Sequence, residues 1–354
     1  MRSLELFSGC GGLAKGLELA GFEHCAFIEF NKWACESLRA NFNPALVHET
    51  DVRKFDFKQV GKVDLIAGGP PCQPFSLGGL ARASEDSRDM FPQAIRAIHD
   101  LTPRGFIFEN VKGLLRKSFA DYFEYIILRL TFPEQVLPKG QAWQTHLARL
   151  RKIDFAAYGG LKYDVQYRLV NAVDYGVPQS RERVFIVGLR HDLGLTWTWP
   201  EASSERKTIA DVIGKLPDPH GENAFDDHVF IDGAREYPGH TGSCYDKPSK
   251  TIKAGAHGVP GGENMIRFPD GSLRYMTVHE AKLIQTFPDD YRICGTWGES
   301  LRQIGNAVPV QLARVMGMQM KEALQETTVP SVMISMKRSR VKSRNMRSVC
   351  CKVA

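Results

Sequence analysis

One thiol in this chain is set apart by its neighbours. Cys72 lies in the run Gly68-Gly69-Pro70-Pro71-Cys72-Gln73-Pro74-Phe75-Ser76, directly after an apolar run at 63–67. Two prolines after two glycines fix an unusual backbone direction at the C-terminal end of a strand, the edge where α/β sheets bind their ligands. A structural cysteine is normally flanked by apolar residues inside a helix or strand. These neighbours are turn formers and polar groups, so Cys72 reads as a nucleophile.

A second pattern concerns a ligand. Gly9-x-Gly11-x-x-Ala14 fits the glycine-rich turn of nucleotide-binding α/β folds, and Glu29 follows twenty residues after Gly9. The glycines permit a tight turn and close approach, and the acid can accept ribose hydroxyls. An ordinary glycine turn has the same pattern, and NAD and S-adenosylmethionine both satisfy it. The motif narrows the ligand to an adenosine and stops there.

These residues need a scaffold. Over the first 190 residues short apolar runs alternate with helical periods, which predicts an α/β doubly wound, Rossmann-like sheet. Strands are expected at 3–7, 26–29, 63–67, 105–109 and 184–189, with helices after the first two. Residues 133–165 read as an insertion with one helical pattern around 141–151. The expected division is a first domain at 1–190, a smaller loop-rich domain at 191–275 rich in Gly, Pro, His and Asp, and a return to the first at 276–327 with helical patterns at 277–287 and 310–324.

The chain has 354 residues, 43% hydrophobic and 24% charged, which is close to the globular average. It lacks a signal peptide and any long apolar run, so a cytoplasmic protein without membrane contact is expected. The net charge of +6 is uneven. Residues 331–354 hold seven basic and no acidic side chains, leaving 39 Lys+Arg against 40 Asp+Glu before them, a net of −1. The segment 328–354 is therefore expected to be a basic, disordered tail, and the body's charge says little about its partners. The eight cysteines follow no zinc or disulfide spacing, and no metal is expected.

With five motifs in order, the sequence closely resembles the C5-cytosine DNA methyltransferase family of bacterial restriction–modification systems. They are Phe7-Ser8-Gly9-Cys10-Gly11, Pro70-Pro71-Cys72-Gln73, Glu109-Asn110-Val111, Gln179-Ser180-Arg181-Glu182-Arg183 and Gly305-Asn306-Ala307-Val308, and the resemblance covers roughly residues 1–325. It implies a methyltransferase sheet with a target-recognition domain at 191–275. Cys72 would add to C6 of a cytosine flipped out of the duplex, with Glu109, Arg181 and Arg183 completing the catalytic set. S-adenosyl-L-methionine, leaving as S-adenosyl-L-homocysteine, would be held by Phe7, Gly9, Gly11, Glu29, Phe30, Asp51, Val52, Pro70, Met90, Asn306 and Ala307. Gln73, Ser76, Arg88 and Gln179 would meet DNA, and His228, Arg235, His240, Lys247, Lys250 and Lys253 are further candidates.

The implied partners are double-stranded DNA with a short specific target and, in function only, a cognate restriction endonuclease; a monomer is expected. The nearest rival is a tRNA cytosine methyltransferase, but the Cys-Phe-Thr tripeptide typical of that branch is absent. A catalytically inactive DNA-binding protein of the same fold is another, opposed by the intact Cys72, Glu109 and Arg183. A dehydrogenase is weakest, because nothing in that class calls for Pro-Pro-Cys-Gln.

Overall fold

The structure is a computed structural model and describes residues 1–71, 89–223, 225–238, 241–254 and 264–325. Cys72, Gln73, Ser76, Arg88, His240 and the 328–354 segment lie outside the described residues. The main sheet contains β1 (Arg2–Leu6), β2 (Glu23–Glu29), β3 (Val47–Glu49), β4 (Leu65–Gly68), β5 (Gly105–Val111), β6 (Tyr163–Asn171) and β7 (Glu182–Arg190), in spatial order β3-β2-β1-β4-β5-β7-β6. The first five are parallel where they pair, while β7 runs antiparallel between β5 and β6. The sheet is thus mixed, and the reversal at β7 departs from the all-parallel dinucleotide-binding arrangement.

The central strands are apolar on both faces because helices cover both. On one face Leu4, Leu6, Ile66, Phe106 and Phe108 pack against α3 (Phe91–Leu101), α4 (Ala120–Thr131) and α5 (Trp143–Leu150). On the other, Leu65, Ala67, Ile107 and Phe185 pack against α1 (Gly12–Leu19) and α9 (Val310–Gln325). A further helix, α2 (Lys32–Asn41), follows β2 and is capped by the Asn31 side chain on the Ala34 N–H. Residues 133–165 do not stand apart: Leu147 and Leu150 of α5 are buried in the first core.

A second core gathers Ile209 and Ile213 of α6 (Ile209–Ile213), Ile252, Ile266, Met276, and residues of α7 (Val278–Ile284) and α8 (Trp297–Asn306). It carries the small sheet β8 (Ser243–Cys244), β9 (Met265–Arg267) and β10 (Leu273–Tyr275). The apolar faces of α7 and α8 turn toward this smaller core. Thr277 and Glu280 form a capping box at the start of α7, and the Glu280 carboxylate is gripped by both Arg274 Nη atoms at 2.7 and 2.5 Å. Among the described residues no helix is long and apolar enough to cross a membrane.

Candidate active site

The glycine-rich turn begins with a strained residue. Phe7, just after β1, holds a left-handed backbone at φ 54°, a conformation that non-glycine residues rarely keep without a compensating role. Gly9 (φ 54°) and Gly11 (φ 89°) follow. They are required for different reasons. A Cβ on Gly11 would lie 2.5 Å from the Tyr291 hydroxyl and 2.9 Å from the Phe42 ring, so the protein behind the turn excludes a side chain. A Cβ on Gly9 would meet nothing within 4 Å among the described residues, so that face of the turn is open to them.

Glu29, at the end of β2, stands next to this open face. Its Oε2 accepts the Gly9 N–H at 2.8 Å, and its Oε1 accepts the N–H groups of Phe30 at 2.9 Å and Asn31 at 2.8 Å. Three backbone donors thus fix the carboxylate before any ligand arrives. Phe30 beside it is 73% exposed, an apolar ring with nothing over it among the described residues. Asp51 is engaged differently: Arg53 Nε bonds both its oxygens, at 3.0 and 2.9 Å, and that hydrogen-bonded guanidinium holds the carboxyl below the usual range. Val52 is buried, and its carbonyl accepts from Arg96 Nη2 at 2.7 Å.

The Pro-Pro turn is fastened on both sides. Asn110 Nδ2 donates to the Pro70 carbonyl at 2.9 Å, and the Met90 N–H to the Pro71 carbonyl at 3.2 Å. Glu109 lies against the same turn, its Oε2 3.4 Å from where a Cβ on Gly69 would stand. In the β5–β7 register Glu109 is opposite Phe185 and Val111 opposite Arg183. Glu109 and Arg183 are thus diagonal neighbours on one face, and Arg183 Nε reaches Glu109 Oε1 at 2.8 Å with both side chains largely buried. Arg183 Nη1 also donates to the Glu182 carbonyl at 2.8 Å, which fixes the guanidinium plane.

Two neighbours from the same motif do something else. Arg181, expected in the catalytic set, is 1% exposed. Its Nη1 donates to the Ile252 carbonyl at 3.2 Å, and its Nη2 to the carbonyls of Gly305 at 2.7 Å and Ala307 at 3.0 Å. Burial, reinforced by the Arg183 cation and opposed by Glu109, lowers it to about 9. It therefore stays charged at neutral pH and caps the C-terminal carbonyls of α8, where a cation is favoured. Gln179, expected to meet DNA, is fully buried. Its Nε2 donates to Gln285 Oε1 at 3.0 Å and its Oε1 accepts the Ile252 N–H at 3.1 Å, so no end of the amide reaches the surface. Gln285 in turn donates to Ile304 and Ala307 carbonyls at 2.6 and 3.2 Å. This junction leaves Asn306 exposed and Ala307 buried beside it.

His228, a candidate DNA contact, is also buried: its ring bonds Thr277 Oγ1 at 2.8 Å and the Pro217 carbonyl at 2.9 Å. Arg235, Lys247, Lys250 and Lys253 are exposed. Asn110, Gln285 and Tyr291 complete the site's framework and were not singled out by spacing. Asn110 was signalled by its place beside Glu109 at a strand end, whereas the partners of Gln285 and Tyr291 lie too far along the chain for any local pattern.

The family model for C-5 cytosine-specific DNA methylase matches residues 1–132 and 139–322. The chain is 34% identical to Type II methyltransferase M.NgoMIV of Neisseria gonorrhoeae over 92% of its own length and 98% of that protein's. It is 32% identical to Type II methyltransferase M.FnuDI of Fusobacterium nucleatum, covering 92% of this chain and 95% of that one. Among solved structures, a methyltransferase of Entamoeba histolytica aligns with a TM-score of 0.67 at 16% identity, over 92% of this chain and 99% of that one, a likeness of fold. With a glycine turn and acid at one strand end, a buried Glu–Arg pair against a Pro-Pro turn at the next, and these matches along nearly the whole chain, the protein belongs to the C-5 cytosine-specific DNA methylase family.

Proposed function

We propose that the protein is an S-adenosyl-L-methionine-dependent DNA (cytosine-5-)-methyltransferase that modifies a short specific sequence in double-stranded DNA. The observation that supports it most is the Glu109–Arg183 pair, 2.8 Å apart and set against the Pro70-Pro71 turn that leads into Cys72. The residues present fit the cofactor: Gly9 faces open space, Glu29 is held with acceptor capacity to spare, and Phe30 offers an uncovered ring to an adenine. When bound, S-adenosylmethionine supplies an electrophilic methyl group on a sulfonium. Phe7, Gly11, Val52, Met90, Pro70, Asn306 and Ala307 complete the proposed pocket, with Asp51 reaching it only if Arg53 yields.

C5 of cytosine is too weak a nucleophile to take a methyl group unaided. In the proposed reaction the Cys72 thiolate forms a bond to C6, and the displaced electron pair loads the ring at C5, N3 and O2. Glu109 holds a proton at N3, and Arg183 donates to O2 while fixing the Glu109 carboxyl, so both act where negative charge develops. After methylation a base removes the C5 proton, the C5–C6 double bond re-forms and the S–C6 bond breaks. The target base must leave the stack for this, and Gln73, Ser76 and Arg88 follow Cys72 closely enough to serve the open duplex. Arg181 and Gln179 belong to the frame that positions this site. The Type II names of the relatives support a role as the modification partner of a restriction endonuclease.

Incubation with S-adenosylmethionine and duplex DNA carrying 5-fluorocytosine tests this reading, because after methylation the fluorine at C5 cannot leave as a proton does. A covalent protein–DNA complex is expected, absent in Cys72→Ser. A complex formed with 5-fluorocytosine tRNA and not with DNA would transfer the activity to the rival substrate.

A further inference from the structure

The cofactor turn is supported from behind by a residue that lies 281 positions later in the chain. Tyr291 follows α7 in the loop Phe287-Pro288-Asp289-Asp290-Tyr291, and its hydroxyl donates to the Cys10 carbonyl at 2.6 Å. Both residues are buried, at 2% and 1% exposure. We propose that Tyr291 is a positioning residue for the cofactor: by holding the Cys10 carbonyl it fixes the turn that presents Gly9 to Glu29.

Several contacts make the phenol a fixed point. Its ring packs on Phe287, with centroids 4.8 Å apart, and edge-on to Phe42 at 6.3 Å. Its backbone carbonyl accepts from Lys282 Nζ at 2.8 Å. Lys282 also donates to the Asp289 carbonyl at 3.2 Å and lies 2.7 Å from Asp227 Oδ2. The loop is therefore tied to α7 and, through Asp227, to the segment before the small sheet. Burial raises the phenol well above its usual range, so it remains a donor throughout the working pH span.

On the other side the effect is transmitted across two residues, Gly9 and Cys10. Cys10 lies between Gly9, whose N–H meets Glu29, and Gly11, where an added Cβ would lie 2.5 Å from the Tyr291 hydroxyl. A shift of the Cys10 carbonyl would move the Gly9 N–H off Glu29 Oε2 and loosen the carboxylate proposed to take the ribose. Tyr291 touches neither substrate nor cofactor in this scheme; it acts through the turn.

The inference rests on the S-adenosylmethionine reading, and calorimetric titration of that compound into wild type and Tyr291→Phe separates the two. The phenylalanine keeps the ring packing and removes only the hydroxyl. Expected is a Kd about fivefold weaker in the variant, the size of one lost hydrogen bond. KM for S-adenosylmethionine should rise by the same factor, with kcat at saturation and DNA affinity as in wild type. Wild-type cofactor affinity in Tyr291→Phe overturns the inference, as does a fall in kcat and both affinities in step with a lower unfolding midpoint. If wild type itself binds no S-adenosylmethionine, the cofactor reading fails first and carries this inference with it.

Discussion

Glu5 is the least expected residue in the core, and replacing it gives a sharp test of how the sheet is packed. It alternates with Leu4 and Leu6 on β1, and both its carboxylate oxygens are buried with no hydrogen-bond partner among the described residues. Burial pushes its carboxyl up to about 8. His24 Nδ1 lies 4.0 Å away, but burial lowers that imidazole to about 4, so at neutral pH both groups are uncharged and the contact is no ion pair. An acid that binds its proton more tightly when folded stabilises the protein fully below its unfolded value, and that stability is lost as pH rises toward 8. At about 1.36 kcal/mol per pH unit, the change from pH 5.5 to 7.5 amounts to roughly 2.5 kcal/mol. Glu5→Gln cannot ionise and escapes that loss. Urea unfolding of both proteins at the two pH values reads the difference, and His24 titrates in both and cancels. The stability of Glu5→Gln relative to wild type should climb by about that amount. A difference that stays constant with pH would show that Glu5 ionises in the fold, and would refute the picture of a dry strand beneath the cofactor turn.

Two other substitutions separate frame from site. Arg181→Met takes a donor from three buried carbonyls, of which only that of Ala307 keeps another, from Gln285, and should lower stability by about 3 kcal/mol in urea unfolding; a variant as stable as wild type but with no turnover would restore Arg181 to the catalytic set. Phe30→Ala should weaken S-adenosylmethionine binding about tenfold in calorimetry, as loss of an aromatic stacking surface does, while a side chain so exposed should leave the unfolding midpoint unchanged.

Much of the frame was legible in sequence because its central strands are apolar on both faces. The runs at 3–7, 26–29, 63–67, 105–109 and 184–189 all became strands of the main sheet. β6 was missed because it lies at the sheet edge, where Tyr163–Asn171 is buried only at Tyr163 and Val170 and carries little continuous apolar signal. The two- and three-residue strands of the small sheet are too short to show a period. At the site, Glu109 and Arg183 were readable as strand-end residues, but their pairing depends on the antiparallel register of β7. Arg181, Gln179 and His228 look like surface groups in sequence and are buried, because each meets polar partners contributed by distant segments. Patterns of spacing cannot foresee such partners, and Tyr291 escaped notice for the same reason.

A Cys72 thiolate adding at C6 directs the methyl group to C5 of the base. Duplex DNA incubated with the protein and methyl-labelled S-adenosylmethionine, then digested to nucleosides, identifies the methylated position by chromatography. Label is expected in 5-methyldeoxycytidine, abolished by Cys72→Ser. Label in N4-methyldeoxycytidine or N6-methyldeoxyadenosine, or undiminished transfer by Cys72→Ser, would contradict it.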